Sequence, residues 1–222
     1  MKNCSARLIA ASPAVCADVL YAGGFNAPDE VLYFEIGRER GLILSQLEYA
    51  RAKSEAAKGV RVFSREEFLD DRSPDRSDLA VLRNLTERFG VTCWEVPASF
   101  PLALADALRE HGTAVRAAAD PFFPKRLIKT AAELKKIAEA ERVTEESMCH
   151  ARDLIRGAAV NSKGVLVRDG RVLTCEMLRA EIEGFLKSRG YTASQTITAC
   201  GTDASQPHNL GYGPIMAGTG RL

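Results

Sequence analysis

A histidine near the carboxyl end of the chain, His208, is the side chain best placed to do chemistry. It follows Pro207 on a segment bounded by three glycines, Gly201, Gly211 and Gly213. An imidazole titrates close to neutral pH, so a histidine on a constrained loop can exchange a proton with a ligand in a defined orientation. Taken alone, a histidine in this position is more often a surface residue on an ordinary turn.

Two other arrangements of residues could also carry chemistry. Ser205 and Asp203 supply, with His208, the residue types of a nucleophilic triad, but the Gly-x-Ser-x-Gly elbow that exposes such a serine is absent. His150 and Asp153 lie three residues apart on a predicted helix, where they could share a face and bind an ion. A pair of solvent-facing side chains that bond to each other is the more ordinary interpretation of that spacing.

The composition is that of a globular protein with no strong charge bias. Hydrophobic residues make up 46% of the 222 positions, and 30 basic against 29 acidic side chains leave a net charge of +1. This balance favours neither nucleic acid nor an anionic membrane as a partner, and no run reaches the roughly 18 apolar residues of a membrane helix. The six cysteines form no Cys-x-x-Cys pair, which predicts reduced, mostly buried thiols in a cytoplasmic protein.

The first 124 residues alternate short apolar runs with helical stretches, a pattern typical of a sheet flanked by helices. The predicted strands span 7–10, 31–36, 41–45, 60–63, 91–96 and 113–115, and the predicted helices span 47–58, 79–89 and 102–111. The sequence therefore predicts an α/β domain over residues 1–124.

A segment with two prolines, Pro121 and Pro124, predicts a connection between domains, with a linker at residues 125–129. A capping box follows directly, because Thr130 and Glu133 are spaced so that each side chain can bond the other's amide. This signal predicts a long helix that begins at residue 131 and runs to about 156, with Gly157 as its stop.

After the long helix, the sequence predicts few further elements. Residues 165–167 are a weak strand candidate, a second helix follows Thr174 and stops before Gly190, and residues 195–200 alternate as a strand does. One convincing strand cannot cover two helices, so this half is predicted to be an incomplete core.

The order of these segments resembles the pita-bread metallopeptidases, the family of methionine aminopeptidase, Xaa-Pro aminopeptidase, prolidase and creatinase. The resemblance is carried by Lys129-Thr-Ala-Ala-Glu133, Leu173-Thr-Cys-Glu176, Gly190-Tyr191, a strand running to Cys200-Gly201, Pro207-His208 and Gly211-Tyr-Gly-Pro214. It covers essentially all of residues 128–218. Upstream, residues 18–25 and 48–53 are similar to pieces of the creatinase-type N-terminal domain.

The resemblance implies an α/β N-terminal domain of creatinase type, with a mixed sheet flanked by helices, at residues 1–124. After the linker it implies the incomplete start of an α+β pita-bread domain at residues 130–222. It also implies that His208 hydrogen-bonds a peptide substrate around the scissile bond and helps stabilise the tetrahedral intermediate, without binding metal.

The cofactors implied by the resemblance are two divalent metal ions, manganese, cobalt or zinc, that bind and activate water. Members of the family hold them with two aspartates, one histidine and two glutamates that come later in the chain than the equivalent of His208. The sequence stops at Leu222 before these positions, so this chain is expected to bind no metal and to be inactive alone.

The implied function is that of a metal-dependent aminopeptidase or dipeptidase of the Xaa-Pro type, which hydrolyses a peptide bond near a free N-terminus. One alternative is a non-catalytic pseudo-peptidase that binds a peptide or protein partner. Another is creatinase-like chemistry on a small molecule, which shares the fold. Relatives with this two-domain layout commonly form dimers, so a homodimer is a further expectation.

Overall fold

The chain folds into two compact units that divide between Ile128 and Lys129. The computed structural model describes residues 6–70 and 72–218. The first unit contains, in chain order, β1 (Ala6–Ala11), α1 (Ala17–Gly23), β2 (Val31–Ile36), β3 (Glu39–Leu44), α2 (Gln46–Glu55), β4 (Arg61–Ser64), α3 (Asp78–Phe89), β5 (Cys93–Val96), α4 (Leu102–Glu110) and β6 (Ala114–Ala117).

The first unit is built on one mixed sheet of six strands in the order β4-β3-β2-β1-β5-β6. β2 pairs antiparallel with both β1 and β3, while β3–β4, β1–β5 and β5–β6 are parallel pairs. The consecutive strands that pair in parallel, β3–β4 and β5–β6, are joined through the helices α2 and α4, as crossover connections require. The predicted mixed α/β domain is confirmed.

Side chains that alternate along the strands fill a core on each face of this sheet. Leu8, Phe34 and Trp94 pack on one face with α3 and α4, whereas Ile9 and Tyr33 pack on the other with α1 and α2. Leu8 and Ile9 are neighbours in sequence, and they reach opposite faces because the side-chain period of a strand is two residues. Both faces are thus apolar and covered.

Buried polar atoms of the first core are satisfied locally. The indole Nε1 of Trp94 donates to the hydroxyl of Thr86 at 3.0 Å, and that hydroxyl donates to the carbonyl of Leu82 at 2.6 Å. All three residues are buried, so each donor needs its partner inside the protein.

Every strand and helix predicted for the first unit is present, β2 with the predicted bounds and the others with shifted ends. α1 is an additional helix that the sequence analysis did not predict. It has no side-chain bond at its N-cap, and it ends at Gly24, whose φ is 65°. The stop signal was visible in the sequence, but the start signal was not.

The second unit contains α5 (Ala131–Arg156), β7 (Ala159–Val160), β8 (Leu166–Arg168), β9 (Arg171–Val172) and α6 (Cys175–Ser188). The predicted capping box is confirmed, because the amide of Thr130 donates to Glu133 Oε2 at 2.8 Å and the amide of Glu133 donates to Thr130 Oγ1 at 3.3 Å. α5 ends at Gly157 as predicted. No helix within residues 6–70 and 72–218 is long and apolar enough to cross a bilayer.

The predicted strand at residues 195–200 is wrong. Three short antiparallel strands, in the order β7-β8-β9, form the sheet of the second unit, and residues 195–200 belong to no strand. Gln195 has a φ of 56°, which breaks the extended run at its first residue. Among the residues that the structure describes, the segment makes one backbone bond to a later residue, from the amide of Thr198 to the carbonyl of Leu210 at 3.0 Å.

The prediction of reduced, mostly buried cysteines holds only in part. Cys16, Cys149, Cys175 and Cys200 carry free thiols, and Cys4 lies outside the described residues. Cys93 is disulfide-bonded, so the prediction is wrong for this residue. Of the four free thiols, that of Cys175 is buried and those of Cys16 and Cys200 are half-buried. Cys149 is exposed on α5.

Candidate functional site

His208 lies in a tight turn, and its side chain is exposed. The amide of Asn209 donates to the carbonyl of Gln206 at 3.2 Å, which places Pro207 and His208 at the centre of a four-residue turn. His208 has a φ of 66°, the conformation that a type II turn needs at its second central position. Proline suits the first central position, and histidine is one of the non-glycine residues that accept positive φ. The turn therefore presents the imidazole to solvent.

Asn209 stabilises this turn from its C-terminal side. Its side-chain oxygen accepts the amide of Gly211 at 2.9 Å, and its side-chain nitrogen donates to Gln206 Oε1 at 3.1 Å. A 3-10 helix, Gly201–Ser205, precedes the turn. We call residues 201–213 the His208 loop. Its short-range bonds give the loop a defined shape despite the absence of a strand at either end.

The nucleophilic triad considered from the sequence is not assembled. The hydroxyl of Ser205 donates to the carbonyl of Thr202 at 2.7 Å, and the backbone carbonyl of Asp203 accepts the amide of Gln206 at 3.0 Å. Within the described ranges, no hydrogen bond joins Ser205 to His208. Ser205 is therefore part of the turn structure and is not activated by the histidine.

An arginine of α6, Arg179, connects the segment before the His208 loop to the end of that loop. Its Nε donates to the carbonyl of Thr196 at 3.0 Å, before the loop, and its Nη2 donates to the carbonyl of Gly211 at 2.7 Å, near the end of the loop. Nη2 also donates to the carbonyl of Leu210, and the guanidinium lies 5.7 Å from the ring centroid of Tyr212. A guanidinium has five donors in a rigid fork, so one side chain can bond several carbonyls at once.

The first turn of α6 holds the same loop at a second point. Both carboxylate oxygens of Glu176 accept the amide of Gly213 at 3.1 Å, and the amide of Cys175 donates to the carbonyl of Gly213 at 2.9 Å. The backbone amide of Glu176 itself, followed by the amide of Gly213 and the hydroxyl of Thr174, keeps the pKa of Glu176 below its ordinary value. The carboxylate is thus charged when it holds the loop.

Gly211 is required by the close approach of the loop to the segment before it. A Cβ at this position would lie 2.5 Å from Cα of Ala199 and 2.7 Å from the carbonyl oxygen of Thr198, and the φ of Gly211 is 80°. Both the contact and the conformation exclude a side chain. Gly213 has a similar φ of 75°, but a Cβ added there would meet no atom within 4 Å.

His150 and Asp153, the ion-binding pair considered from the sequence, have separate partners. His150 Nε2 lies 3.5 Å from Glu181 Oε2 on α6, and its ring stacks on Phe185 with centroids 5.2 Å apart. Asp153 Oδ1 accepts from Nε and Nη2 of Arg152, both at 3.2 Å. The two side chains line one open pocket of about 630 Å³, but their own bonds point to a structural role.

The two divalent ions implied by the resemblance do not fit the donors of this part of the chain. Residues 6–70 and 72–218 contain no group of three or more histidine, cysteine, aspartate or glutamate side chains that could hold a metal. A two-ion site needs several carboxylates that converge on one volume. No chemical step at His208 is therefore assigned to a metal held by the described residues.

Sequence reasoning identified His208 and the segment ending at Glu176, but it missed Arg179. Its signal was present: Glu176 and Arg179 are three residues apart and so lie on the same side of α6. They flank the buried Leu178 of the apolar stripe. The spacing of Glu176 and Arg179 could not show which chain segments these two side chains would contact.

By sequence, the chain matches no family model and no curated protein. Its structure is similar to that of a prolidase from Pyrococcus furiosus, with a TM-score of 0.70, 17% identity and coverage of 96% of this chain and 54% of that one. It is also similar to an Xaa-Pro dipeptidase from Bacillus anthracis, with a TM-score of 0.73, 15% identity and coverage of 96% and 53%.

A prolidase from Pyrococcus horikoshii OT3 gives a TM-score of 0.69 at 20% identity, again over 96% of this chain and 53% of that one. The chain spans about half the length of these solved structures. At such identities the likeness concerns the fold, and function has to be argued from the site. Over nearly its whole length, this chain has the fold of part of the prolidases and Xaa-Pro dipeptidases.

Proposed function

We propose that this chain forms the N-terminal domain and the first part of the catalytic domain of a metal-dependent aminopeptidase or dipeptidase of the Xaa-Pro type. In this assignment residues 1–124 are the creatinase-type domain, 125–129 the linker and 130–222 the start of the pita-bread domain. The observation that carries the proposal is the similarity of fold to prolidases and Xaa-Pro dipeptidases over 96% of the chain. The substrate is a peptide with a free N-terminus.

His208 is the catalytic residue of this proposal. Its ring is exposed on a turn that is closed by the bond between Gln206 and Asn209. A donor that is already oriented can hydrogen-bond the oxygen that becomes negative in the tetrahedral intermediate, and it need not reorganise during the reaction. Arg179 and Glu176 keep the ends of the loop in place, which is the support such a donor needs.

The metal ions of the full enzyme would supply the activated water, and their ligands would come from outside the described residues. No donor group of three or more is found between residues 6 and 218, leaving residue 71 aside. We therefore propose that the 222-residue chain alone does not hydrolyse peptides, whether or not manganese or cobalt is added.

The test compares the 222-residue chain with the longest polypeptide encoded in frame with it. Both are assayed with manganese or cobalt on Xaa-Pro dipeptides, Xaa-Pro-Yaa tripeptides and creatine. We expect turnover of the proline peptides by the longer polypeptide only, and a fall in kcat of about 100-fold for His208→Ala. His111→Ala is the matched control, because His111 is also exposed but belongs to the first unit.

Three results would overturn the proposal. They are peptide turnover by the 222-residue chain itself, unchanged kcat in the His208→Ala enzyme, and hydrolysis of creatine in preference to peptides. Metal content is measured for each variant, so that a loss of ions is not mistaken for a loss of the histidine.

A second candidate function is a non-catalytic module that binds a peptide or protein partner. The lack of a metal donor group among the described residues, together with an exposed His208 on a well-held loop, favours this function for the chain by itself. NMR titration of the metal-free 222-residue chain with an Xaa-Pro peptide should then shift the His208 ring signals. Unchanged ring signals at millimolar peptide would exclude the binding module.

The exposed apolar residues of α5 support self-association, which agrees with the expected homodimer. Leu134 and Ile137, one turn apart on α5, are 55% and 45% exposed, and Met148 further along the helix is 61% exposed. Exposed apolar side chains favour contact with another protein surface. Sedimentation velocity should show a species larger than a monomer. A single monomeric boundary across a wide concentration range would count against this.

A further inference from the structure

We propose that Arg179 is a positioning residue that sets the orientation of His208 towards its substrate. This inference rests on the proposed role of His208, which contacts the substrate, whereas Arg179 contacts only the protein. Arg179 lies in the middle of α6, and its guanidinium fixes the two chain segments that flank the histidine.

The segment that enters the His208 loop has little backbone pairing of its own, whereas the chain from Gly213 onward pairs with residues 164–175. The bond between the Thr198 amide and the Leu210 carbonyl, at 3.0 Å, links this segment to the loop, and no residue from 195 to 211 belongs to a strand. In a paired sheet, regular amide–carbonyl bonds would fix their spacing. Here no backbone amide of the described residues bonds the carbonyls of Thr196 and Gly211, so these two carbonyls are left for another donor.

Arg179 supplies that donor to both segments at once. Nε bonds the carbonyl of Thr196 at 3.0 Å, while Nη2 bonds the carbonyls of Leu210 and Gly211, the latter at 2.7 Å. Nη2 also lies 3.5 Å from the hydroxyl of Thr198. The rigid guanidinium therefore sets the distance between the segment before the loop and the end of the loop.

The Arg179 side chain lies among residues that are shielded from solvent. Arg179, Thr196 and Leu210 are half-buried, and Gly211 is buried. A charged donor to a carbonyl in such surroundings forms a strong hydrogen bond. Without the guanidinium, the carbonyls of Thr196 and Gly211 would have to find water, and the loop end would have to move outward to reach it. His208 is two residues from Leu210, so any such movement reaches the imidazole.

Small displacements of this kind matter for catalysis. A shift of about 1 Å in a catalytic group can lower the rate about 100-fold, even when the cause lies outside the reacting atoms. Because the substrate touches His208 and not Arg179, loss of Arg179 should affect the chemical step more than substrate binding. The signature of a positioning role is therefore a lower kcat at nearly constant KM.

The first experiment uses the 222-residue chain and needs no activity. Amide hydrogen exchange and the ring NMR signals of His208 are compared for the wild type, Arg179→Met, Arg179→Lys and Arg189→Met. Arg189 is the matched control. It is the C-cap residue of α6, and its guanidinium pairs with Glu146 of α5 instead of the His208 loop. The global free energy of unfolding is measured for each variant, so that a general loss of stability is recognised.

We expect exchange at Thr198, Gly211 and Gly213 to be at least about tenfold faster in Arg179→Met, with altered His208 ring signals. Arg179→Lys should recover part of the protection, because an ammonium can still donate to one of the carbonyls. Arg189→Met should leave loop and ring unchanged. Wild-type exchange and ring signals in a folded Arg179→Met chain would overturn the inference.

The second experiment uses the active, longer polypeptide of the proposed function. Arg179→Met should lower kcat about tenfold or more while KM changes little, and metal content should stay the same. If no form of the protein hydrolyses peptides, the proposed function fails while the NMR result still decides whether Arg179 positions the loop. If the enzyme is active and Arg179→Met has the wild-type kcat, the positioning role fails and the proposed function stands.

Discussion

The Nη2 atom of Arg179 and the carbonyl oxygen of Gly211 are 2.7 Å apart, so the end of the His208 loop is bonded to the middle of α6. One helical turn earlier, Glu176 accepts the amide of Gly213. These two contacts flank Tyr212 and attach the loop to a helix that is itself packed in the core of the second unit. The position of His208 thus depends on side chains more than 25 residues away in sequence.

The first prediction concerns the contact between Gly211 and the preceding segment. Gly211→Ala should lower the free energy of unfolding by about 1–3 kcal/mol more than Gly213→Ala, because only the first forces backbone atoms apart. Both glycines have positive φ, so the conformational cost of alanine is common to the two variants. Urea unfolding followed by circular dichroism measures the difference, and equal losses would contradict the crowding at Gly211.

The second prediction concerns the buried indole of Trp94. Thr86→Val keeps the shape of the side chain but leaves the indole Nε1 without its partner, and we expect a loss of about 1–3 kcal/mol in the free energy of unfolding. Thr144→Val is the control, because Thr144 makes a similar bond to the carbonyl of Ala140 on the exposed side of α5. That variant should stay within about 0.5 kcal/mol of the wild type. Similar losses for both threonines would disprove a specific role for the indole bond.

The third prediction is a pH dependence at Glu176. Its pKa is lowered in the folded chain from the ordinary value of 4.5, so the stabilisation from the carboxylate is fully present above that value. It is lost as the pH falls through the lower folded-state pKa. The NMR shift of the Gly213 amide, followed from neutral pH to about pH 3, should therefore titrate below the ordinary glutamate range.

Glu176→Gln provides the check on this prediction, because an amide oxygen can still accept from Gly213 but does not titrate in that range. Its Gly213 signal should stay flat over the same titration. A wild-type transition at or above the ordinary glutamate pKa, or one that persists in Glu176→Gln, would show that another group is responsible.

The fourth prediction concerns the start of α5. Thr130→Ala removes the hydroxyl that accepts the amide of Glu133, and it should cost about 1 kcal/mol of stability. Thr130→Ser keeps an oxygen in the same place and should retain most of that stability. Thermal unfolding of the wild type, Thr130→Ala and Thr130→Ser ranks the three chains by stability. An alanine variant as stable as the serine variant would mean that the cap contributes nothing.

Much of the fold followed from short-range patterns in the sequence. Short apolar runs predicted the strands of the first unit, in which Leu8 and Ile9 reach opposite faces, and Thr130, Glu133 and Gly157 predicted both ends of α5. α1 escaped prediction because its N-cap, Cys16, makes no side-chain bond. Signals that reside within a few residues of one another survive in almost any tertiary context, which is why they could be read directly.

The sequence by itself determined the type of most elements and singled out His208, because residue types and their spacing are local quantities. Only the tertiary structure decided the order of the six strands, the failure of residues 195–200 to form a strand, and the attachment of the His208 loop to Arg179 and Glu176. A strand exists only where a neighbour pairs with it, and a guanidinium bonds whichever carbonyls the fold brings to it. Both outcomes depend on contacts between distant residues, which no local spacing records.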